Sequence, residues 1–126
     1  MLVKEIMNKA VVIDRDMSVK EAAKIMTEKN IGCILVTKGE RITGIVTEKD
    51  IVKNISDSRK KIFSLMSKNI VEVDENENIE DAAEMMAKNK VKHLPVIDKN
   101  EKLAGIITST DIIAHSDDID EDFFLE

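Results

Sequence analysis

The sequence predicts an α/β (α+β) fold of two β-α-β-β-α repeats, packed as one pseudo-twofold-symmetric pair. Three observations carry that prediction. First, SVKEAAKIM, IGCILVTKG and GIVTEKDI, between Ser18 and Ile51, return as NIEDAAEMM, VKHLPVIDKN and GIITSTDI between Asn78 and Ile112. A period of about 60 residues marks a duplicated supersecondary unit. Second, Val19, Ala22, Ala23 and Met26 fall at i, i+3, i+4 and i+7, and so do Ile79, Ala82, Ala83 and Met86, the stripe of a helix with one buried face. Third, short apolar runs bounded by turn residues flank each helix, as strands do. Either copy alone is near the lower size limit for a stable core. The two are therefore expected to fold as one unit with a shared hydrophobic interface, divided into repeat 1 over 1–58, repeat 2 over 59–116 and an acidic tail over 117–126.

Each copy opens on a lead-in helical turn ending in Met, Val3 to Met7 and Ile62 to Met66. A first strand follows, Val11 to Ile13 and Ile70 to Val73. The helix starts are set by Ser18 with Glu21 and by Asn78 with Asp81, which have capping-box or near-capping-box spacing. Next come two strands with a tight connection, CILVT and RITGIVT around Lys38 to Glu40, then HLPVI and KLAGIIT around Asp98 to Glu101. A short helix closes each copy, from about Glu48 to Ile55 and from about Ser109 to His115.

Composition narrows the function classes. Hydrophobic residues make up 43% and charged residues 35%, with three Phe and no Trp or Tyr, so the core must be aliphatic. Six of the 25 acidic residues lie in DDIDEDFFLE at the end of the chain, and the 19 that remain match the 19 Lys and Arg. A body that is formally neutral and nearly free of aromatics lacks the basic stripe and stacking residues that polymeric nucleic acid needs. The single Cys33, inside the run CILV, reads as a reduced, buried thiol. No apolar stretch approaches membrane-spanning length and the charged N-terminus does not resemble a secretory signal, so a cytoplasmic protein with no membrane partner is expected. No nucleophile–base pair, P-loop or dinucleotide motif stands out, and His115 has no partner at metal-ligand spacing. A non-enzymatic role is expected, with no metal and no catalytic cofactor.

The strongest local signal is GIVTEKDI from Gly44 to Ile51 against GIITSTDI from Gly105 to Ile112. Each places a Gly in the last strand, a Thr at the strand-to-helix junction and an Asp three residues on. Thr47 with Asp50 and Thr108 with Asp111 fit a helix cap worth roughly 1 kcal/mol. They also fit a binding site. A helix start offers N–H groups to a phosphate, and an ionised Asp can accept from the two vicinal hydroxyls of a ribose. Gly44 and Gly105 remove side-chain bulk where a ligand or a neighbouring backbone must come close.

The two copies, over residues 3 to 115, resemble a tandem CBS domain pair, also called a Bateman module. The resemblance implies a stand-alone regulatory module that binds an adenosine-containing ligand between the two repeats without converting it. AMP, ADP or ATP is the first expectation, with S-adenosylmethionine or NAD as alternatives. Carried over by position, Asp50 and Asp111 are the ribose-binding carboxylates, with Thr47 and Thr108 holding ribose or phosphate and Lys49 and Thr110 as lesser neighbours. Adenine is expected against Ile70, Val71 and Ile45 for the Asp50 site, and against Ala10, Val11 and Ile106 for the Asp111 site. Lys92 and His93 match the basic pair of nucleotide-binding members, whereas copy one has Gly32 and Cys33 there. The resemblance therefore implies unequal sites, with Asp50, Lys92 and His93 favoured for a charged ligand. It also implies a disc-like homodimer through the faces around Ile51, Val52, Ile55, Ile112 and Ile113, and a separate effector protein as partner.

A rival from another class is a ligand-independent protein–protein interaction module. In that reading the Thr/Asp pairs are only caps. Arg59, Lys60 and Lys61 are a solvated linker, and Phe123, Phe124 and Leu125 behind the acidic run recruit the partner.

Overall fold

The computed structural model describes residues 1–115; the tail at 117–126, with Phe123, Phe124 and Leu125, lies outside the described residues. The element order is α1 (Val3–Ile6), β1 (Val12–Ile13), α2 (Val19–Lys29), β2 (Cys33–Lys38), β3 (Arg41–Thr47), α3 (Glu48–Lys53), β4 (Val73–Asp74), α4 (Ile79–Asn89), β5 (His93–Ile97), β6 (Leu103–Thr108) and α5 (Ser109–Ala114). Short 3-10 turns cover Ile55–Asp57 and Ile62–Ser64. Two three-stranded sheets result, β1-β2-β3 and β4-β5-β6. In each, the first strand runs parallel to the second and the second antiparallel to the third.

The chain divides into two compact units, one of residues 11–70 and one of residues 1–10 together with those from Val71 onward. Each has its own aliphatic core. In the first, Met17, Val19, Ala22 and Met26 meet Ile34, Val36, Val46, Ile51 and Ile62. In the second, Val3 and Ile6 join Ile79, Ala82, Ala83, Met86, Leu94, Val96, Ile107 and Ile112. The helical stripes read from the sequence are the faces that these cores cover. Sequence self-similarity and spatial compactness thus cut the chain at different places, because the lead-in turn before repeat 1 packs into the core of repeat 2.

The lead-in turns are bound by matching sets of backbone bonds. Ile62 N–H donates to Met17 C=O at 2.9 Å and Val19 N–H to Lys60 C=O at 2.8 Å. In the other unit Val3 N–H donates to Glu77 C=O at 2.8 Å and Ile79 N–H to Met1 C=O at 3.0 Å. Val3 and Ile62 are both completely buried, and such a side chain contributes about 2 kcal/mol over leaving it in water. Beyond each turn the chain pairs with the outer edge of the last strand. Ser67 and Ile45 exchange two bonds of 2.9 Å, and Asn8 and Ile106 exchange two of 2.8 Å.

Two local departures from the expected elements have physical causes. Leu35 N–H donates to Val11 C=O at 3.0 Å in the first sheet. The matching residue of the second sheet is Pro95, which has no N–H to give. Accordingly, the strand expected over Ile70 to Val73 is found at Val73–Asp74, two residues long like β1 and one residue later by repeat alignment. At the helix starts, Ser18 Oγ accepts from Glu21 N–H at 3.1 Å, as its spacing suggests. Asn78 makes no side-chain cap, while its backbone bridges to Leu2. The second closing helix ends at Ala114, and the first at Lys53, short of the expected Ile55.

Gly44 and Gly105 sit under the lead-in methionines. A Cβ on Gly105 would lie 2.6 Å from Asn8 O and 3.0 Å from Met7 Sδ, while one on Gly44 would collide with the side chain of Met66. A thioether chain can swing aside, but the Asn8 carbonyl is fixed in its pair with Ile106. Gly105→Ala is therefore expected to destabilise its unit by about 2–3 kcal/mol, and Gly44→Ala by about 1 kcal/mol. Urea denaturation with hydrogen exchange at residues 2–8 would test this; equal losses from the two variants would contradict it.

Candidate functional site

The end of β3 and the end of β6 carry the same arrangement. Thr47 N–H donates to Asp50 Oδ2 at 2.9 Å, and Thr108 N–H to Asp111 Oδ2 at 2.9 Å. These are the return bonds of a helix cap, so the capping reading is realised in both copies. Capping uses one oxygen of each carboxylate. Among the described residues no bond is made by Oδ1 of either Asp. Both Asp side chains are half-buried, as are Thr47 and Thr108, whereas Lys49 and Thr110 are exposed.

The two caps differ in detail. Thr108 Oγ1 lies 2.8 Å from Asp111 Oδ2 and accepts from Asp111 N–H at 3.2 Å. Thr47 Oγ1 lies 3.3 Å from Asp50 Oδ2. Asp111 Oδ2 also accepts from Asn8 Nδ2 at 2.9 Å, across 103 positions of sequence. The first helical N–H of each closing helix is occupied, since Glu48 donates to Gly32 C=O at 3.1 Å and Ser109 to Lys92 C=O at 2.9 Å. With that donor taken and only six residues per helix, the expectation of an N-terminal phosphate cradle loses most of its physical basis. The carboxylate is left as the chemically distinctive group.

The unit of residues 11–70 brings together Thr47, Lys49 and Asp50 with Ile45, Ile70 and Val11. The other unit holds Thr108, Thr110 and Asp111 with Ile106, Ala10, Val71, Lys92 and His93. The bridges Ile45–Ser67 and Ile106–Asn8 bring the strand ahead of each Thr against the segment that leads to Ile70 or Ala10. For each carboxylate, two of the residues expected around adenine therefore share its unit. Pairing register sets His93 opposite Thr108 and Cys33 opposite Thr47. Within its own unit His93 thus pairs with the strand end that carries Thr108, while Cys33 lies within reach of the charge of Asp50. Sequence reasoning passed over Asn8; the signal available was its place directly after Met7, in a lead-in that repeats at Met66-Ser67.

Of the residues expected at a dimer face, Ile51 and Ile112 belong to the cores, which corrects their assignment. Val52, Ile55 and Ile113 are exposed, at 69%, 66% and 61%. No helix among the described residues is long and apolar enough to cross a membrane.

A description of the CBS domain matches residues 3–57 and again 62–118, and the chain belongs to that family. An uncharacterized protein of Methanocaldococcus jannaschii is 35% identical over 101 residues, covering 80% of this chain and 34% of the relative. A homoserine O-acetyltransferase of Methanohalobium evestigatum is 40% identical over 101 residues, 79% of this chain and 21% of that enzyme. The chain thus spans about a third and a fifth of these two relatives. Among solved structures, a CBS domain pair in complex with 5′-methylthioadenosine and S-adenosyl-L-methionine is 31% identical with a TM-score of 0.85, covering 94% of this chain and 97% of that one. The two-sheet α/β architecture is that of a CBS domain pair.

Cys33 is buried in β2, and its thiol is pushed up from the ordinary 9.0 to about 12, first by burial and then by the negative charge of Asp50. Above pH 9 the unfolded chain ionises at this position while the folded one does not. The stability present below pH 9 is therefore lost progressively as pH rises toward 12, with a slope of up to about 1.4 kcal/mol per pH unit. Cys33→Ala is expected to remove that slope in urea titrations at pH 8 to 11, and iodoacetamide at pH 8 should label the native thiol only in denaturant. Fast labelling of the native protein would contradict the burial.

Proposed function

We propose that the chain is a non-catalytic regulatory module that binds an adenosine-containing small molecule through Asp50 and Asp111. The observation that carries this is the state of the two carboxylates. One oxygen of each is fixed by the Thr47 or Thr108 N–H at 2.9 Å and the other makes no protein bond among the described residues. A half-buried acceptor with a preset orientation suits the vicinal hydroxyls of a ribose, at roughly 1.5–3 kcal/mol for a bond to a charged group. The similar CBS domain pair holds 5′-methylthioadenosine and S-adenosyl-L-methionine, which share ribose and adenine and carry no phosphate. AMP, ADP and ATP present the same ribose; Lys92 and His93 are the residues we assign to their phosphates.

Asp50 is the stronger site in this proposal, since its Oδ2 accepts from Thr47 alone. Differential affinity for two states of the module would then be passed to a separate effector protein. Calorimetry on the full chain with 5′-methylthioadenosine, S-adenosylmethionine, AMP, ADP, ATP and NAD provides the test. Asp50→Ala is expected to abolish the stronger event by at least tenfold and Asp111→Ala to spare it. No binding of any of the six below about 1 mM would leave the protein-interaction reading in its place.

We also assign Val52, Ile55 and Ile113 to a homodimer contact, on their exposure beside buried Ile51 and Ile112. Val52→Glu combined with Ile113→Glu should halve the mass found by analytical ultracentrifugation at micromolar concentration. An unchanged dimer, or a monomeric parent chain, would remove that assignment.

A further inference from the structure

We propose that Asn8 sets the ligand affinity of the Asp111 site, acting as a latch on its carboxylate and making the two copies unequal. The inference rests on the adenosine-binding reading and deepens it. A carboxylate offers about four lone-pair positions over its two oxygens. Asp111 Oδ2 already receives three donors: Thr108 N–H at 2.9 Å, Thr108 Oγ1 at 2.8 Å and Asn8 Nδ2 at 2.9 Å. Asp50 Oδ2 receives only the two from Thr47. A vicinal diol that gives one O–H to each oxygen finds Oδ2 of Asp111 crowded, and one protein donor must leave.

Asn8 is the donor that leaves. The Thr108 contacts lie within the helix cap, three residues from Asp111, and releasing them would open the start of α5. The Asn8 amide sits on an exposed side chain that can rotate into water. Its main chain does not move with it, because Asn8 and Ile106 exchange two backbone bonds of 2.8 Å. The latch is therefore delivered by a fixed backbone and opens at the side chain alone. Ser67 supplies the comparison within the same molecule. It exchanges two 2.9 Å bonds with Ile45 as Asn8 does with Ile106, yet its shorter side chain makes no bond to Asp50 among the described residues. In the donors that reach Oδ2, one residue of the duplicated lead-in, Asn8 against Ser67, separates the two carboxylates. Asn8 is in this sense a positioning residue, since it acts on the ligand through Asp111.

The full chain carrying Asp50→Ala isolates the Asp111 site, and 5′-methylthioadenosine is the probe. Adding Asn8→Ala or Asn8→Ser is expected to tighten binding about three- to tenfold, the range for the net worth of one ordinary solvent-exposed hydrogen bond. In the Asp111→Ala chain, Ser67→Asn should weaken the Asp50 site by a similar factor. Unchanged or weaker binding in both Asn8 variants would overturn the latch. A ligand-free readout separates this from failure of the adenosine reading: the side-chain amide NMR resonances of Asn8 should shift in Asp111→Ala. If they do not move, the latch is refuted whatever binds. If they move and no variant binds the probe, the adenosine reading falls and with it the role of Asn8 in affinity, while the bond itself stands.

Discussion

The closure of each sheet edge by a lead-in turn is the constraint on which the rest depends. A three-stranded sheet of this size leaves the outer side of β3 and of β6 with unpaired backbone groups. Both edges are met by a single backbone pair, Ile45 with Ser67 and Ile106 with Asn8. The methionine before each pairing residue lies over a glycine, Met66 on Gly44 and Met7 on Gly105. A side chain on Gly105 would press on the lead-in backbone at Asn8, and one on Gly44 would displace the Met66 thioether. The glycines next to the Thr/Asp segments are therefore explained by packing of the protein on itself, and the room they make is already filled. The group left beyond them is the carboxylate, held in place because the strand that carries its Thr is held.

The same device is assembled by different routes in the two copies. Ser67 follows Ile45 by about 20 residues, whereas Asn8 and Ile106 stand about 100 apart, and closing the longer loop costs roughly 1 kcal/mol more. Copy one completes its core from contiguous chain. Copy two must recover the first ten residues, which bring Val3 and Ile6 into a core that otherwise consists of α4, α5 and β4 to β6. Short copies near the size limit of a stable core gain most from such a loan. This is also why the fold can be read twice from the sequence while its compact units cannot be cut at the repeat boundary.

Local elements were the most legible part of the chain, because their signals are periodic and close in sequence. The stripes Val19-Ala22-Ala23-Met26 and Ile79-Ala82-Ala83-Met86 became the buried faces of α2 and α4, with Ala23 only partly covered. The paired Thr and Asp residues fell where a strand gives way to a helix in both copies. Illegible were the effects that pass through backbone partners distant in sequence. Pro95 moves the start of β4 one residue along by withholding a donor from a strand more than twenty residues earlier. Asn78 has the composition of a cap yet does not cap. Ile51 and Ile112 read as surface residues of short helices and proved to be core, since a six-residue helix has too few positions for periodicity to settle which face is inward.

Duplication gives two copies of one site only where both copies meet the same neighbours. The backbone return bond of the Thr/Asp cap is repeated, with N–H to Oδ2 distances of 2.9 Å in both. The surrounding shell is not, because Cys33 faces Thr47 where His93 faces Thr108, and Asn8 stands where Ser67 does. Cys33 next to Asp50 is a neutral, buried neighbour that neither donates strongly nor carries charge at physiological pH. An amide next to Asp111 is a strong donor, already engaged. Asymmetry here needs no change in fold, in register or in the carboxylate itself. It follows from which donors the lead-in and the neighbouring strand bring to an acceptor of limited capacity.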